Sequence, residues 1–251
     1  MNPHIQSCAE LLRKGDPDRF LAVMSVPAKY RARLFVIYAF NLEISRIPYV
    51  TQEPMIAQMR LQFWRDVVEE AFAHKKPRAH EVAQPLAEII HDKPIAKAEF
   101  DRVIDARNWD IEIKEFTTEV SLFDHLASSG GALARIAAMA LDADDLNAER
   151  ARLAGAAGAL ARWLSVVPQL KAHGLKPLPD DSETGILNLV RSGQMQLKSA
   201  YPIKGPARLA VRADWMAAAL LRKAARKPAA AFNGDLDFSE GYKKLRLIFK
   251  R

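Results

Sequence analysis

Apolar side chains recur along this chain at steps of three and four residues, the spacing of one helix face, and seldom alternate as in a half-buried strand. The one Asn-Gly pair, Asn233-Gly234, has no alternating apolar runs beside it and marks no hairpin. The pattern therefore predicts an all-α protein. A first helix is expected around Ile5–Lys14, and after the turn Asp16–Asp18 a short one containing Phe20, Leu21 and Met24. Pro27 then opens a central helix whose Leu34, Ile37, Tyr38, Leu42 and Ile44 form a buried face, closed by Pro48. Another begins near Glu53-Pro54, with Ile56, Met59, Phe63 and Val67 predicting one buried face as far as about Phe72. Further helices are read over Glu81–Ile90, Lys97–Asp110, Glu119–Leu141, Ala148–Ala172, Ser182–Leu197, Gly205–Arg226 and Phe238–Arg251.

Small residues interrupt this pattern at two places. Ser128-Ser129-Gly130-Gly131 lies inside a predicted helix, where each glycine costs about 1 kcal/mol relative to alanine. Close approach of a neighbouring helix would compensate, and a local bend or cavity is the functional alternative. Ala148–Ala172 opens with an Ala/Gly-rich run that also implies tight packing, and Pro168 inside it should kink the helix.

Composition narrows the chemistry. A chain of 251 residues can bury a full core, and it is read as one domain over residues 1–251. The single cysteine, Cys8, allows neither an intrachain disulfide nor a cysteine metal cluster and is read as a bystander. The N-terminal residues lack an apolar signal core and carry acids unlike a transit peptide. No uncharged apolar run reaches membrane-spanning length, so a cytoplasmic or peripheral protein is expected. The six histidines show no i, i+4 pair, and no phosphate-binding loop or dinucleotide fingerprint is present.

The net charge of +7 is uneven: residues 198–251 carry 13 Lys/Arg against 4 Asp/Glu. Such a segment suits an anionic surface. Charge alone does not make a nucleic-acid interface, and no nucleic-acid partner is expected. Within it Leu209, Trp215, Met216, Leu220 and Leu221 contrast with Arg208, Arg212, Arg222, Lys223 and Arg226, a basic amphipathic pattern expected to pack on its own domain rather than on a membrane. Asp101 and Asp105 share a helix face, with Asp110 beyond. Arg102 and Arg107 each precede an aspartate by three positions, which reads as ordinary exposed pairing rather than a metal site.

Pro27, Arg31 and the Tyr38-Ala39-Phe40 triplet resemble the N-terminal signature of the squalene/phytoene synthase family. The continuation from Asn41 to Asp66 is most similar to its non-catalytic branch of respiratory complex I assembly factors. The resemblance implies a helical bundle of the isoprenoid (terpenoid) synthase type. In family synthases Tyr-Ala-Phe is followed by Cys-Arg and an Asp-Asp-x-x-Asp cluster. Here the Arg position is Leu42, the adjacent Asp positions are Ser45 and Arg46, and the last is Tyr49. A later family helix carries Gln, Asn and two Asp, ending in a Gly and a Leu-Pro. Gly174 and Leu178-Pro179 keep that frame, and the four positions fall on Ala159, Arg162, Val166 and Leu170.

Head-to-head prenyl transfer ionises an allylic diphosphate, and divalent cations held by carboxylates neutralise the departing group. The resemblance therefore implies a degenerate synthase: no catalytic residue, no metal and no cofactor, with Mg²⁺ entering only if the chain is an active prenyl-diphosphate transferase. Arg46 and Arg162 remain as candidate contacts for an anion or lipid through their guanidinium forks. The partners it implies are a complex I subunit or assembly intermediate, an anionic membrane surface, or an isoprenoid lipid bound without turnover. The location implied is peripheral at the inner membrane.

Overall fold

The computed structural model describes residues 2–51, 53–112 and 114–249. Among them all regular structure is helical and no strand occurs. The chain opens with α1 (Pro3–Gly15), α2 (Pro17–Met24) and α3 (Ala28–Arg46), then a 3₁₀ turn (Ile47–Tyr49) and α4 (Pro54–Phe72). Shorter helices α5 (Ala83–Asp92), α6 (Lys97–Asp105) and α7 (Asn108–Glu112) lead to α8 (Glu119–Leu126), which continues through a π turn (Ala127–Gly131) into α9 (Ala132–Ala140). The long α10 (Asp145–Ala172) and α11 (Glu183–Ala200) follow, then α12 (Ala207–Ala210) with a 3₁₀ turn (Val211–Asp214), α13 (Ala217–Arg226), α14 (Ala230–Asn233) and α15 (Glu240–Phe249).

Short polar side chains fix where several helices begin. Asp16 accepts the Arg19 backbone N–H ahead of Pro17, Thr118 and Ser121 form a reciprocal capping box, and Asp144 and Ser182 cap α10 and α11. Two apolar clusters form inside the bundle. One gathers Leu12, Phe40, Leu61, Phe100 and Leu133; the other gathers Leu160, Leu164, Ile186 and Leu221; and Leu197 packs against both. Phe40 meets Trp64 and Phe100 edge-on at 5.4 and 6.0 Å. Burying one such ring contributes about 1.5–3 kcal/mol.

The structure departs from the expected elements in instructive places. On α4 the buried residues are Ala57, Leu61, Trp64, Val67, Val68 and Ala71, while Met59 is 68% and Ile56 38% exposed. Two stripes of helical spacing compete on this helix, and the one carrying Trp64 and Leu61 fills the core; a shift of one residue, about 100° of rotation, turns Met59 outward. The Lys97–Asp110 helix breaks at Ala106 into α6 and α7. Asp101 is taken by Lys97 at 3.0 Å and Asp105 by Arg65 at 2.8 Å, so Arg102 turns back to Glu99 rather than forward to Asp105. Arg107 does reach Asp110, at 3.8 Å, but that pair is buried rather than exposed.

The Gly205–Arg226 segment divides into α12, a 3₁₀ turn and α13, and buries Trp215, Met216, Leu220 and Leu221 in its own domain. Lys250 and Arg251 of the last expected helix lie outside the described residues. Gly234, at a φ of 76°, ends α14 in the left-handed conformation, which is the role of the Asn-Gly pair. Cys8 is sealed inside α1's packing face, and burial pushes its thiol up to about 12. No helix among the described residues is long and apolar enough to cross a membrane.

Candidate functional site

The hollow of the bundle is built around α10, and glycine controls its shape. A Cβ on Gly130, in the π turn, would stand 2.6 Å from the Ala159 Cβ and 3.0 Å from the Gly155 carbonyl oxygen. The α8–α9 unit thus lies directly on α10, the close approach expected for Ser128–Gly131. The extra residue of the π turn is absorbed where Ser129 Oγ donates back to the His125 carbonyl at 2.8 Å. One helical turn further along α10, Gly158 leaves the space that the Asp214 side chain occupies.

That placement brings Asp214 onto Arg162, whose Nη1 donates to Asp214 Oδ1. The Asp214 side chain is 7% exposed. Around the pair the hollow has a volume of about 120 Å³ and is lined by Asp16, Asp18, Arg19, Asp237 and Lys243 as well. Arg19 is held by Asp16 at 2.9 Å and lies over the Tyr38 ring, whose hydroxyl donates to the Ala210 carbonyl at 2.9 Å. Lys243 comes from α15 and sits 3.2 Å from each of Asp18, Asp237 and Glu240. Burial works against its charge, but these carboxylates outweigh it and hold the ammonium above its ordinary range. Carboxylates therefore do enter the hollow, and the aspartates lining it are held by Arg19, Arg162 and Lys243.

Of the eight positions singled out from the sequence, only Arg162 lines this hollow. Leu42 is buried, and Arg46 lies with it over Gly15, at the corner of α1 and α3. Ser45 Oγ donates to the Leu42 carbonyl at 3.1 Å, within its own helix. Tyr49 reaches away to α7, where its hydroxyl donates to Asp110 Oδ1 at 3.2 Å; burial raises the pKa of both groups. Ala159 is spent on the contact with Gly130, Leu170 is buried and Val166 is 40% exposed.

As a donor set these residues do not fit Mg²⁺, which takes oxygen ligands, preferably carboxylates. The set offers one hydroxyl and one phenol, each already donating elsewhere, beside aliphatic and cationic side chains. Among the described residues no group of three or more His, Cys, Asp or Glu is placed to hold a metal ion. Asp16, Asp18, Asp214, Asp237 and Lys243 escape a reading of the sequence because nothing local ties them together.

Comparison with known proteins places this architecture. The squalene/phytoene synthase family model matches residues 12–184. The chain belongs to the squalene/phytoene synthase family. By fold it is similar to a dehydrosqualene synthase crystallised with a ligand, with a TM-score of 0.76 at 15% identity over 98% of this chain and 94% of that one. It is also similar to squalene synthase HpnC from Alicyclobacillus acidocaldarius, with a TM-score of 0.75 at 17% identity over 89% of this chain and 94% of that one. These likenesses show the isoprenoid synthase fold.

By sequence the chain is similar to NADH dehydrogenase (ubiquinone) complex I, assembly factor 6 of Homo sapiens, 28% identical over 144 residues covering 57% of this chain and 43% of the human protein. The Drosophila melanogaster homologue of that factor is 34% identical over 105 residues, covering 40% of this chain and 31% of the fly protein. The chain thus matches less than half the length of these family relatives.

Proposed function

We propose that this chain is a catalytically degenerate squalene/phytoene synthase-like protein that serves as an assembly or binding factor for respiratory complex I. The observation that carries the reading is Arg162: in the family frame it falls where synthases carry an Asn, and its guanidinium is paired with Asp214 inside the hollow. The remaining hollow, about 120 Å³, is well below the roughly 300 Å³ at which ligand pockets begin. The pair also resists being opened, because separating its partners leaves the buried Asp214 carboxylate without a counter-charge. The similarity to complex I assembly factor 6 in animals supports the partner.

An active prenyl-diphosphate transferase is the rival reading. It draws on the fold, and a fold does not fix chemistry. Binding of an isoprenoid lipid without turnover meets the same obstacle of volume at this hollow. Deleting the gene and quantifying assembled complex I on native gels tests the assembly role. Reduced assembled complex, restored by the wild-type chain, is expected; unchanged assembly removes the partner.

A further inference from the structure

A second cleft lies beside the hollow and differs from it in charge. It has a volume of about 660 Å³, runs between the α2–α3 connection and residues 201–215, and is walled by Arg31, Arg208 and Arg212. Two of these guanidiniums are fixed by consecutive backbone carbonyls. Arg212 Nη1 donates to the Ser25 oxygen at 2.8 Å, and Arg31 Nε donates to the Val26 oxygen at 2.9 Å. These bonds hold two cations on one wall.

Among the described residues neither Arg31 nor Arg208 has a carboxylate within 4.0 Å. The one carboxylate in the cleft, Asp214, is engaged by Arg162. Arg31 and Arg208 thus bring positive charge to the cleft that an anion would neutralise, and guanidinium forks match phosphate oxygens. The Tyr201 hydroxyl stands at the same cleft, its pKa raised by burial and then by Asp214, so it remains a donor at neutral pH.

The floor of this cleft is apolar, with Val26, Leu209, Val211, Trp215 and Leu247. Arg31 also borders a neighbouring groove of about 650 Å³ that contains Phe20, Met24, Ala28 and Phe35. A cationic cleft and an apolar groove thus share one arginine as a common wall. Each is in the size range of a ligand site. A molecule with a phosphate at one end and a hydrocarbon chain at the other matches the arrangement; free phosphate would satisfy only the first part.

We propose that this paired cleft and groove bind the phosphate headgroup of an anionic phospholipid, with an acyl chain lying across the α2–α3 corner. The site adjoins the hollow around Arg162, sharing Asp214 and Trp215 with it, and its occupancy does not depend on the assembly role. Binding there docks this face of the bundle on an anionic bilayer, in keeping with the surplus of Lys and Arg over residues 198–251.

The test is flotation of the purified full chain with vesicles of phosphatidylcholine alone or mixed with phosphatidylglycerol. It compares the wild type with Arg208→Glu and with Arg222→Glu, an exposed residue on α13 outside the cleft that undergoes the same charge change. Arg208 has an exposed side chain and no ion pair among the described residues, so its replacement does not disturb the core. Binding to the anionic vesicles is expected, with a loss on the order of tenfold or more for Arg208→Glu and a clearly smaller one for Arg222→Glu. Short-chain phosphatidylglycerol should compete and equimolar inorganic phosphate should not. Equal losses in the two variants, no preference for anionic vesicles, or competition by inorganic phosphate as effective as by the short-chain lipid would overturn the proposal. Chain deletion without effect on complex I would leave it standing.

Discussion

Arg162 and Asp214 cannot be removed singly without cost. Arg162→Ala leaves a carboxylate that is 7% exposed without its cation, and a loss of about 2–3 kcal/mol in unfolding free energy is expected, reduced from the fully buried case because Arg162 itself is partly exposed. Adding Asp214→Asn to that variant should recover part of the loss, which urea denaturation of the single and double variants measures. His125 offers a pH test at the same scale. It is packed against Trp163 and Phe116 at 5.3 and 5.4 Å, and burial, with a lesser contribution from Arg107, lowers its pKa to about 3. The unfolded chain then binds more protons than the folded one between about pH 3 and 6.5, so acidification through that window destabilises the fold. The wild type should lose about 2 kcal/mol more than His125→Phe between pH 7 and 4.5, read from urea midpoints at the two values. Arg162 is legible in the sequence because the Gly174 and Leu178-Pro179 frame gives its register. Its partner is not, since Asp214 stands 52 positions away and arrives only because Gly158 makes room.

Glycine placement is the lever at the scale of elements. A side chain at Gly155 would collide with Ala134 and with the Gly130 backbone, so Gly155→Val should push the π turn off α10. An overpacking cost of about 1–3 kcal/mol is expected, seen as a lowered thermal midpoint. The sequence predicted that some close approach must compensate for Gly130 and Gly131 but did not say which helix supplies it; that helix is α10, and the π turn itself has no local signature. Helix existence and most starts were legible because proline is a local signal, as at Pro54, whereas Pro17 and Asp18, read as part of a turn, belong to α2 because Asp16 caps it. The buried face of α4 was not, because Met59 and Trp64 each belong to a stripe of acceptable spacing, and it is Trp64 that meets the buried Phe40 ring of α3. On either side of the break between α6 and α7, Asp105 is taken by Arg65 and Asp110 by Tyr49, partners that no local pattern reveals.

For the molecule as a whole, the isoprenoid synthase fold is built around a hollow in which aspartates are paired with arginine and lysine. Cations from α2, α10 and α15 meet aspartates from the α1–α2 junction, the 3₁₀ turn, α2 and the segment before α15, tying distant segments across the hollow. Such pairing fills much of this hollow, whose remaining volume is about 120 Å³. Among the basic residues of 198–251, Lys243 works in this interior pairing and Arg208 and Arg212 wall the cleft. Family and fold were readable from a few motif residues, whereas the internal pairing needed the packed structure. The most direct measurement is diphosphate release when the purified chain is mixed with farnesyl or geranylgeranyl diphosphate and Mg²⁺. No release above the protein-free background is expected; release that rises in proportion to the amount of chain would contradict a non-catalytic role.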